Sequence, residues 1–143
     1  MHPRRTPDML FRGEYAFLSN MYLCDVWYAG RLFKASEIAY VYAKCALPVQ
    51  SEKVALMTNP YDAKKFGKTV ELYHDWDKEK LQIMCEIVFS KFSGNAGLRA
   101  RLLAIKGDIV EDNMHNDRFW GVCIGVGKNH LGKILMLVRE SLA

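Results

Sequence analysis

Residues 77–92, DKEKLQIMCEIVFSKF, contain the clearest helical pattern of this chain. Their apolar side chains recur at the spacing of one helix face. The members of this stripe are Leu81, Met84, Val88 and Phe92, widened by Ile83 and Ile87. So broad an apolar stripe predicts a helix that is buried on much of its circumference and ends at residues 93–95.

Three shorter helices are predicted upstream of this one. The first begins at Ser36, which suits the N-cap position, and carries an apolar stripe at i, i+3, i+4 and i+7. A second helix is predicted over residues 52–57. A third has Asn59 as its cap and Pro60 at its first position, and ends near Gly67. Ahead of all three, residues 26–28 and 31–33 predict a short hairpin.

The second half of the chain contains a long segment without any periodic pattern. A short helix over residues 98–104 and a brief strand over 108–111 precede it. Residues 112–130 are rich in Gly, Asn, Asp and His, and a helix from Leu131 onward follows. Loops this long inside compact domains are usually functional or disordered, and a core helix directly after the loop favours function.

These patterns predict a mainly helical fold with a few short strands, in one compact domain over residues 11–143. A chain of 143 residues is long enough for one core and short for two domains. Residues 1–10 are predicted to be a poorly ordered N-terminal extension. The longest apolar run covers residues 134–138, far below the roughly 20 that span a bilayer, so no membrane partner is expected.

The cysteines and histidines do not form any recognised spacing. There are four of each, without a C-x-x-C pair, so neither a disulfide framework nor a metal site is expected. These features are typical of a reduced, cytoplasmic protein without a cofactor. The 20 basic and 16 acidic residues give a charge of +4, which favours an anionic ligand. Because the two signs alternate, a soluble nucleotide ranks above nucleic acid as a partner.

A polar face is predicted on the helix that begins at Ser36. Glu37, Tyr40 and Lys44 lie at i, i+3 and i+7, over about 10 Å of helix. In the first turn the helix dipole favours the ionised carboxylate, which suits a base or a stabiliser of positive charge. The alternative is an ordinary solvated helix face, and periodicity alone favours that alternative.

An acidic group opens the long loop. Glu111, Asp112 and Asp117 precede Trp120 and Gly121. Carboxylates beside an indole are suited to hold a ribose by its hydroxyls and a base by stacking. A solvated acidic loop anchored by one buried tryptophan explains the pattern equally well.

A glycine-rich stretch, GVGKN at residues 125–129, precedes the last helix. It does not match a Walker A motif, because the glycine spacing is one residue too long and Asn129 replaces the required hydroxyl. Backbone amides at the helix start, helped by Lys128, remain a hypothetical phosphate site, and a simple connector is the alternative. No G-x-S-x-G motif and no helical pair of metal ligands is present, so acyl transfer and metal-assisted hydrolysis lack support.

Taken together and in order, these segments resemble the YbiA-like, or NADAR, family. The resemblance covers about residues 11–142. The matching segments are FLSNMY at 17–22, SE-x-AY at 36–40 with Lys44, WD at 76–77 with Lys80 and IM at 83–84, KF at 91–92, D-x-x-WG at 117–121 and GKN-x-LGK-x-LM-x-x-R at 127–139.

The resemblance implies a helix-dominated fold and hydrolysis of N-glycosidic bonds to ribose. The activities it implies are destruction of phosphoribosylamino-pyrimidine intermediates of riboflavin synthesis and removal of ADP-ribose from guanine. The partner would therefore be a ribosylated base or an ADP-ribose-type molecule, or ADP-ribosylated nucleic acid. A non-catalytic module that binds NAD or ADP-ribose is the alternative from another class.

The resemblance also assigns residues. It implies Glu37 and Asp117 as catalytic groups. It implies Asn20, Trp120 and Asn129 as ligand-binding residues. Four further residues are predicted to bind the ligand, namely Tyr40, Lys44, Gly121 and Lys128. The family often has His and Gln at the positions of Ile38 and Val41, so a polar contact to the base or sugar is expected to differ here.

Overall fold

The computed structural model describes residues 10–143, so all of the predicted N-terminal extension except Leu10 lies outside the described residues. Contacts divide the described chain into two units. One comprises residues 20–94, and the other comprises residues 10–19 together with 95–143. The predicted class, mainly helical with a few short strands, is confirmed.

The unit of residues 20–94 contains one hairpin and four helices. Its elements are β1 (Val26–Tyr28), β2 (Arg31–Phe33), α1 (Ser36–Lys44), α2 (Pro48–Ala55), α3 (Pro60–Gly67) and α4 (Trp76–Ser93). The predicted hairpin is confirmed, with Val26 opposite Phe33 and both side chains buried. Its turn places Gly30 at φ +75°, a left-handed conformation that glycine adopts without steric cost.

Helix α4 is buried on a broad face, as its sequence predicts. Met84, Val88 and Phe92 are buried, but Leu81 is 39% exposed, so its place in the buried stripe was wrong. Around the helix Leu81 lies between Val88 and Phe92, so its exposure comes from its place near the start of α4, where residues 77–79 are also exposed. Lys91, which a count of apolar residues omits, lies at the centre of the buried face and is fully buried.

The starts of the shorter helices differ in how they are capped. Asn59 Oδ1 accepts hydrogen bonds from the backbone amides of Tyr61 and Asp62, so the predicted cap of α3 is confirmed. Ser36 is the first helical residue of α1 and makes no cap hydrogen bond, so its N-cap prediction was wrong. Helix α2 begins at Pro48 rather than at residue 52, because proline fits the first turn of a helix.

The other unit contains a short 3₁₀ helix and two α-helices. These elements are the 3₁₀ helix Gly13–Leu18, α5 (Ala96–Ala104) and α6 (His130–Leu142). Between α5 and α6 the chain forms isolated β-bridges, such as Asp112 with Val122, in place of the predicted strand at 108–111. Leu131, Leu135 and Val138 of α6 are buried, as the apolar spacing predicts. Within residues 10–143, no helix combines the length and apolar character of a membrane span.

Candidate functional site

The head of α1 is tied to the segment that precedes the hairpin. The backbone carbonyl of Asn20 accepts a hydrogen bond of 2.9 Å from the amide of Glu37. The Asn20 side chain donates to Met84 Sδ at 3.5 Å, which anchors it on α4. The structure therefore brings Asn20 and Glu37, two predicted site residues, together at one helix terminus. Glu37 as a whole is partly exposed.

The predicted polar face of α1 is not an ordinary solvated face. Tyr40 is only 8% exposed, and its ring lies 5.0 Å from that of Trp76 at an angle of 56°. Trp76 in turn contacts Tyr73 edge-on, at 5.9 Å between ring centroids. A direct ligand contact by Tyr40 was the sequence-based expectation, whereas the observed packing makes it part of an aromatic cluster beneath the helix. Trp76 was quoted for the resemblance but was not predicted as a site residue.

Lys44 lies at the other end of the same face. Its Nζ atom is 5.9 Å from the centroid of the Tyr40 ring, within the range of a cation–π interaction. Partial burial lowers the pKa of Lys44, while the charge of Glu37 acts in the opposite direction. The ammonium group and the Glu37 carboxylate are thus electrostatically coupled in a partly desolvated environment, where charges interact more strongly than in water.

Asp117, predicted as a catalytic carboxylate, shapes the loop that carries Trp120. Its Oδ1 atom accepts hydrogen bonds from the amides of Phe119 (3.1 Å) and Trp120 (2.9 Å). The Asn113 side chain binds the Asp117 backbone on both sides, donating at 2.9 Å and accepting at 3.0 Å. These bonds give one oxygen of Asp117 a structural task that the sequence-based assignment did not include.

Trp120 belongs to an aromatic group with Phe119 and His130. The Trp120 ring is 4.8 Å from Phe119 in a T-shaped arrangement and 6.5 Å from His130. The Phe119 and His130 rings are 4.6 Å apart. Trp120 is only partly exposed, so its indole is held in place by neighbours and retains some surface for a ligand. Its position is compatible with the predicted stacking on a base.

Asn129 and Gly121 form the core of the loop rather than its surface. Asn129 is in the left-handed region, with φ +55° and ψ +40°, and its side chain accepts from the Glu111 amide and donates to the Ile109 carbonyl. A Cβ atom on Gly121 would lie 2.7 Å from Asn113 Nδ2 and 2.9 Å from Glu111 Oε1. Close packing therefore explains both residues, which were predicted as ligand-binding groups.

Most backbone amides at the predicted phosphate site, the start of α6, are bonded to the loop that precedes the helix. The four amides of residues 128–131 all donate to backbone carbonyls of residues 118–121, at 2.9–3.3 Å. These donors are consumed in holding the D-x-x-WG segment against the helix start, so they are not available to an anion. The exposed ammonium group of Lys128 is what remains of the predicted anion contact.

Lys91 is a residue whose unusual environment the sequence did not indicate. Its Nζ atom lies 5.7 Å from the Tyr22 ring and 5.1 Å from the Phe92 ring. Burial lowers the pKa of Lys91 to about 8, and the nearby Cys24 thiol acts in the opposite direction.

No group of three His, Cys, Asp or Glu side chains that could hold a metal occurs within residues 10–143.

Comparisons with known proteins identify the family. The NADAR domain model matches residues 10–143, and the chain therefore belongs to the NADAR domain family. The solution structure of YbiA from Escherichia coli is similar with a TM-score of 0.84 and 31% identity, over 91% of this chain and 79% of that one. This likeness agrees with the helical class found here.

Three curated relatives have informative names. A riboflavin biosynthesis protein of Vibrio vulnificus (strain YJ016) is 34% identical over 90% of this chain and 36% of its own length. An N-glycosidase of Nostoc punctiforme is 42% identical over 58% of this chain and 55% of its own length. The N-glycosidase YbiA of E. coli (strain K12) is 31% identical over 91% of this chain and 83% of its own length. The chain thus spans about a third and about half of the first two relatives.

Proposed function

We propose that this chain is an N-glycosidase that hydrolyses the bond between a ribosyl group and a nitrogen base. The observation that carries this proposal is Glu37, a partly exposed acidic residue in the first turn of α1, electrostatically coupled to Lys44. Family membership supports it, since two of the relatives are named N-glycosidases. The proposed reaction class rests on both supports, the carboxylate at the start of α1 and membership of this family.

The chemistry needs a fixed negative charge near the anomeric carbon. As the C1′–N bond breaks, positive charge grows on the sugar and the bonding electron pair leaves with the base. Glu37 stabilises that cation and takes a proton from the attacking water, whose oxygen bonds to C1′. The departing base nitrogen takes a proton from solvent, and Glu37 releases to solvent the proton that it took from the attacking water.

The remaining predicted residues either bind the substrate or hold the backbone of the site in place. Trp120 stacks on the base through the indole surface that its neighbours leave exposed. Lys44 or Lys128 meets the phosphate of a phosphoribosyl group as a point charge. Asn20 supports the head of α1, because its carbonyl holds the Glu37 amide. Asp117 and Asn129, with side chains bonded to loop backbone, act by holding the loop in place.

The substrate class proposed first is a phosphoribosylamino-pyrimidine of the riboflavin route. The relative named as a riboflavin biosynthesis protein supports this choice. A cytoplasmic reaction without a metal remains part of this proposal, as predicted from the dispersed cysteines and histidines of the sequence. An ADP-ribosyl group on guanine in nucleic acid is the second candidate, favoured by the net charge of +4.

The test is detection of the two products. The chain is incubated with a phosphoribosylamino-pyrimidine, with an ADP-ribosylated guanine oligonucleotide and with free ADP-ribose, and released base and sugar are measured by mass spectrometry. Free base together with ribose 5-phosphate in the first reaction supports the proposal. Release only from the oligonucleotide favours the second substrate. Binding of ADP-ribose without any free base over hours would establish a non-catalytic module instead.

A further inference from the structure

A groove of about 870 Å³ lies between the end of α5 and the outer face of α6, and none of its lining residues belongs to the proposed site. The apolar side chains of Leu103, Ile105 and Met136 line it. Leu137, which also lines it, is 59% exposed. Single exposed apolar side chains are common on protein surfaces, but a groove lined mainly by them is typical of a surface that binds a partner.

Two cationic side chains of the groove are engaged by backbone carbonyls of the same region. Arg139 Nη1 donates to the carbonyls of Ile105 and Gly107 at 2.9 and 2.8 Å. Lys106 Nζ lies 3.5 Å from the carbonyl of Leu103, near the end of α5. These contacts hold the segment after α5 against α6, and they direct both cations towards the protein's own backbone.

The outer face of α6 carries the other two charged side chains of the groove, one of each sign. The members of this face are Lys133, Met136, Leu137 and Glu140, which lie at i, i+3, i+4 and i+7. Met136 is half-buried and the other three are exposed. The apolar pair thus lies in the middle of the face, with a cation on its N-terminal side and an anion on its C-terminal side.

This order is self-complementary when two copies of α6 pack antiparallel. A two-fold axis that passes between Met136 and Leu137 places Met136 of each copy opposite Leu137 of the other. The same axis places Lys133, three positions before Met136, opposite Glu140, three positions after Leu137, and it does so twice. The axis also lies at the middle of α6, so the two helices overlap along their full length. A parallel arrangement would instead place like charges together.

We propose that this face of α6 and the adjoining groove form the interface of an antiparallel homodimer, with a second copy of this chain as the occupant. Leu137 of each copy packs into the groove of the other, and the two Lys133–Glu140 pairs at the rim fix the direction. An acidic peptide fits less well, because Arg139 and Lys106 are engaged locally and Glu140 would repel it. The surface is small for a permanent interface, so a dissociation constant of about 1–100 µM is expected.

The experiment follows the monomer–dimer equilibrium by sedimentation equilibrium, at chain concentrations from about 1 µM to about 1 mM. Lys133→Glu and Glu140→Lys should each raise the dissociation constant at least about tenfold, because each creates two like-charged pairs. The double variant carrying both changes should return to within about threefold of wild type, since both pairs are again of opposite sign. Lys78→Glu, which changes the net charge equally at an exposed position of α4, should behave like wild type.

Leu137→Asp tests the apolar contact, and it should abolish the dimer while circular dichroism shows an intact fold, because Leu137 is exposed. Leu56→Asp, at another exposed leucine, should leave the dimer intact. A wild type that stays monomeric at the highest concentration overturns the proposal, and binding of an acidic peptide by that monomer would assign the groove to such a partner. Opposite effects of Lys133→Glu and Glu140→Lys would show a dependence on net charge alone and overturn the antiparallel pairing.

Discussion

The head of α1 and the loop of residues 111–130 use polar side chains in opposite ways. At the start of α1, backbone hydrogen bonds are made within the helix and with the Asn20 carbonyl, which accepts from the Glu37 amide. In the loop, Asn113, Asp117 and Asn129 bind backbone groups that no regular element satisfies. A long loop therefore uses its polar side chains to satisfy its own backbone, whereas the backbone of a helix is satisfied mainly by the helix itself.

The same rule explains why similar-looking residues differ in role. Asp117 and Glu37 are both motif acids, and Asp117 accepts hydrogen bonds from two amides of its own loop. The loop also depends on close backbone approach, which excludes a side chain at Gly121. Removal of the Glu37 charge should therefore alter turnover more than stability, and disruption of the close packing in the loop should first lower stability.

The largest expected effect is that of Glu37→Gln. We expect kcat to fall about 10²–10⁴-fold with nearly normal nucleotide affinity, because the charge is lost and the shape is kept. Single-turnover kinetics and calorimetry measure the two quantities. Glu52→Gln, which removes an exposed carboxylate paired with Arg31 on the surface, serves as the control. Unchanged turnover in Glu37→Gln would remove this residue from the catalytic role.

Gly121→Ala tests the loop. The new methyl group would overlap Glu111 and Asn113, so we expect a loss of about 2–4 kcal/mol in the free energy of unfolding. Gly97→Ala is the matched control, since its Cβ meets nothing within 4 Å and the residue lies in α5. That control should gain about 0.5–1 kcal/mol. Equal stabilities of the two variants in urea denaturation would contradict the tight packing described for the loop.

The burial of Lys91 in α4 can be tested by measuring the free energy of unfolding as a function of pH. The pKa of Lys91 is about 8 in the folded protein, against the ordinary value of 10.5 expected in the unfolded chain. Between pH 8 and pH 10.5 the unfolded chain therefore binds more protons than the folded protein. The contribution of Lys91 to stability therefore rises as pH increases from 8 to 10.5. Relative to Lys91→Met, we expect wild type to gain about 1–3 kcal/mol over this range in chemical denaturation. Parallel pH profiles of the two proteins would refute the lowered pKa.

The smallest expected effect is that of Ser36→Ala at the head of α1. Ser36 Oγ is buried and has no hydrogen-bond partner among the described residues. Removing it should raise the free energy of unfolding by about 0.5–2 kcal/mol, as the desolvated hydroxyl disappears and alanine favours the helix. Ser51→Ala, at an exposed hydroxyl bonded to the Pro48 carbonyl, should change stability little by comparison. A loss of stability in Ser36→Ala would show that the hydroxyl has a partner in solution.

Local sequence patterns predicted the structure correctly wherever a residue's environment depends on its near neighbours in the chain. Asn59 and Pro60 predicted the start of α3, and the apolar spacing of α6 predicted its buried face. Glu37 was also placed correctly in a first turn, because helix position depends on local periodicity. The resemblance added the family, which the motif order alone supports and the domain match confirms.

Tertiary structure decided which side chains are buried and which backbone amides are already hydrogen-bonded, neither of which local patterns can show. Tyr40 is buried because Trp76, 36 positions along the sequence, packs on its ring, and Lys91 is buried because aromatic rings surround its ammonium group. The amides before α6 are unavailable to phosphate because carbonyls of residues 118–121 take them. The sequence determined the elements and the chemical groups through short-range sterics and periodicity. Which groups remained accessible was decided only by long-range packing, since burial and hydrogen bonding depend on partners distant in the chain.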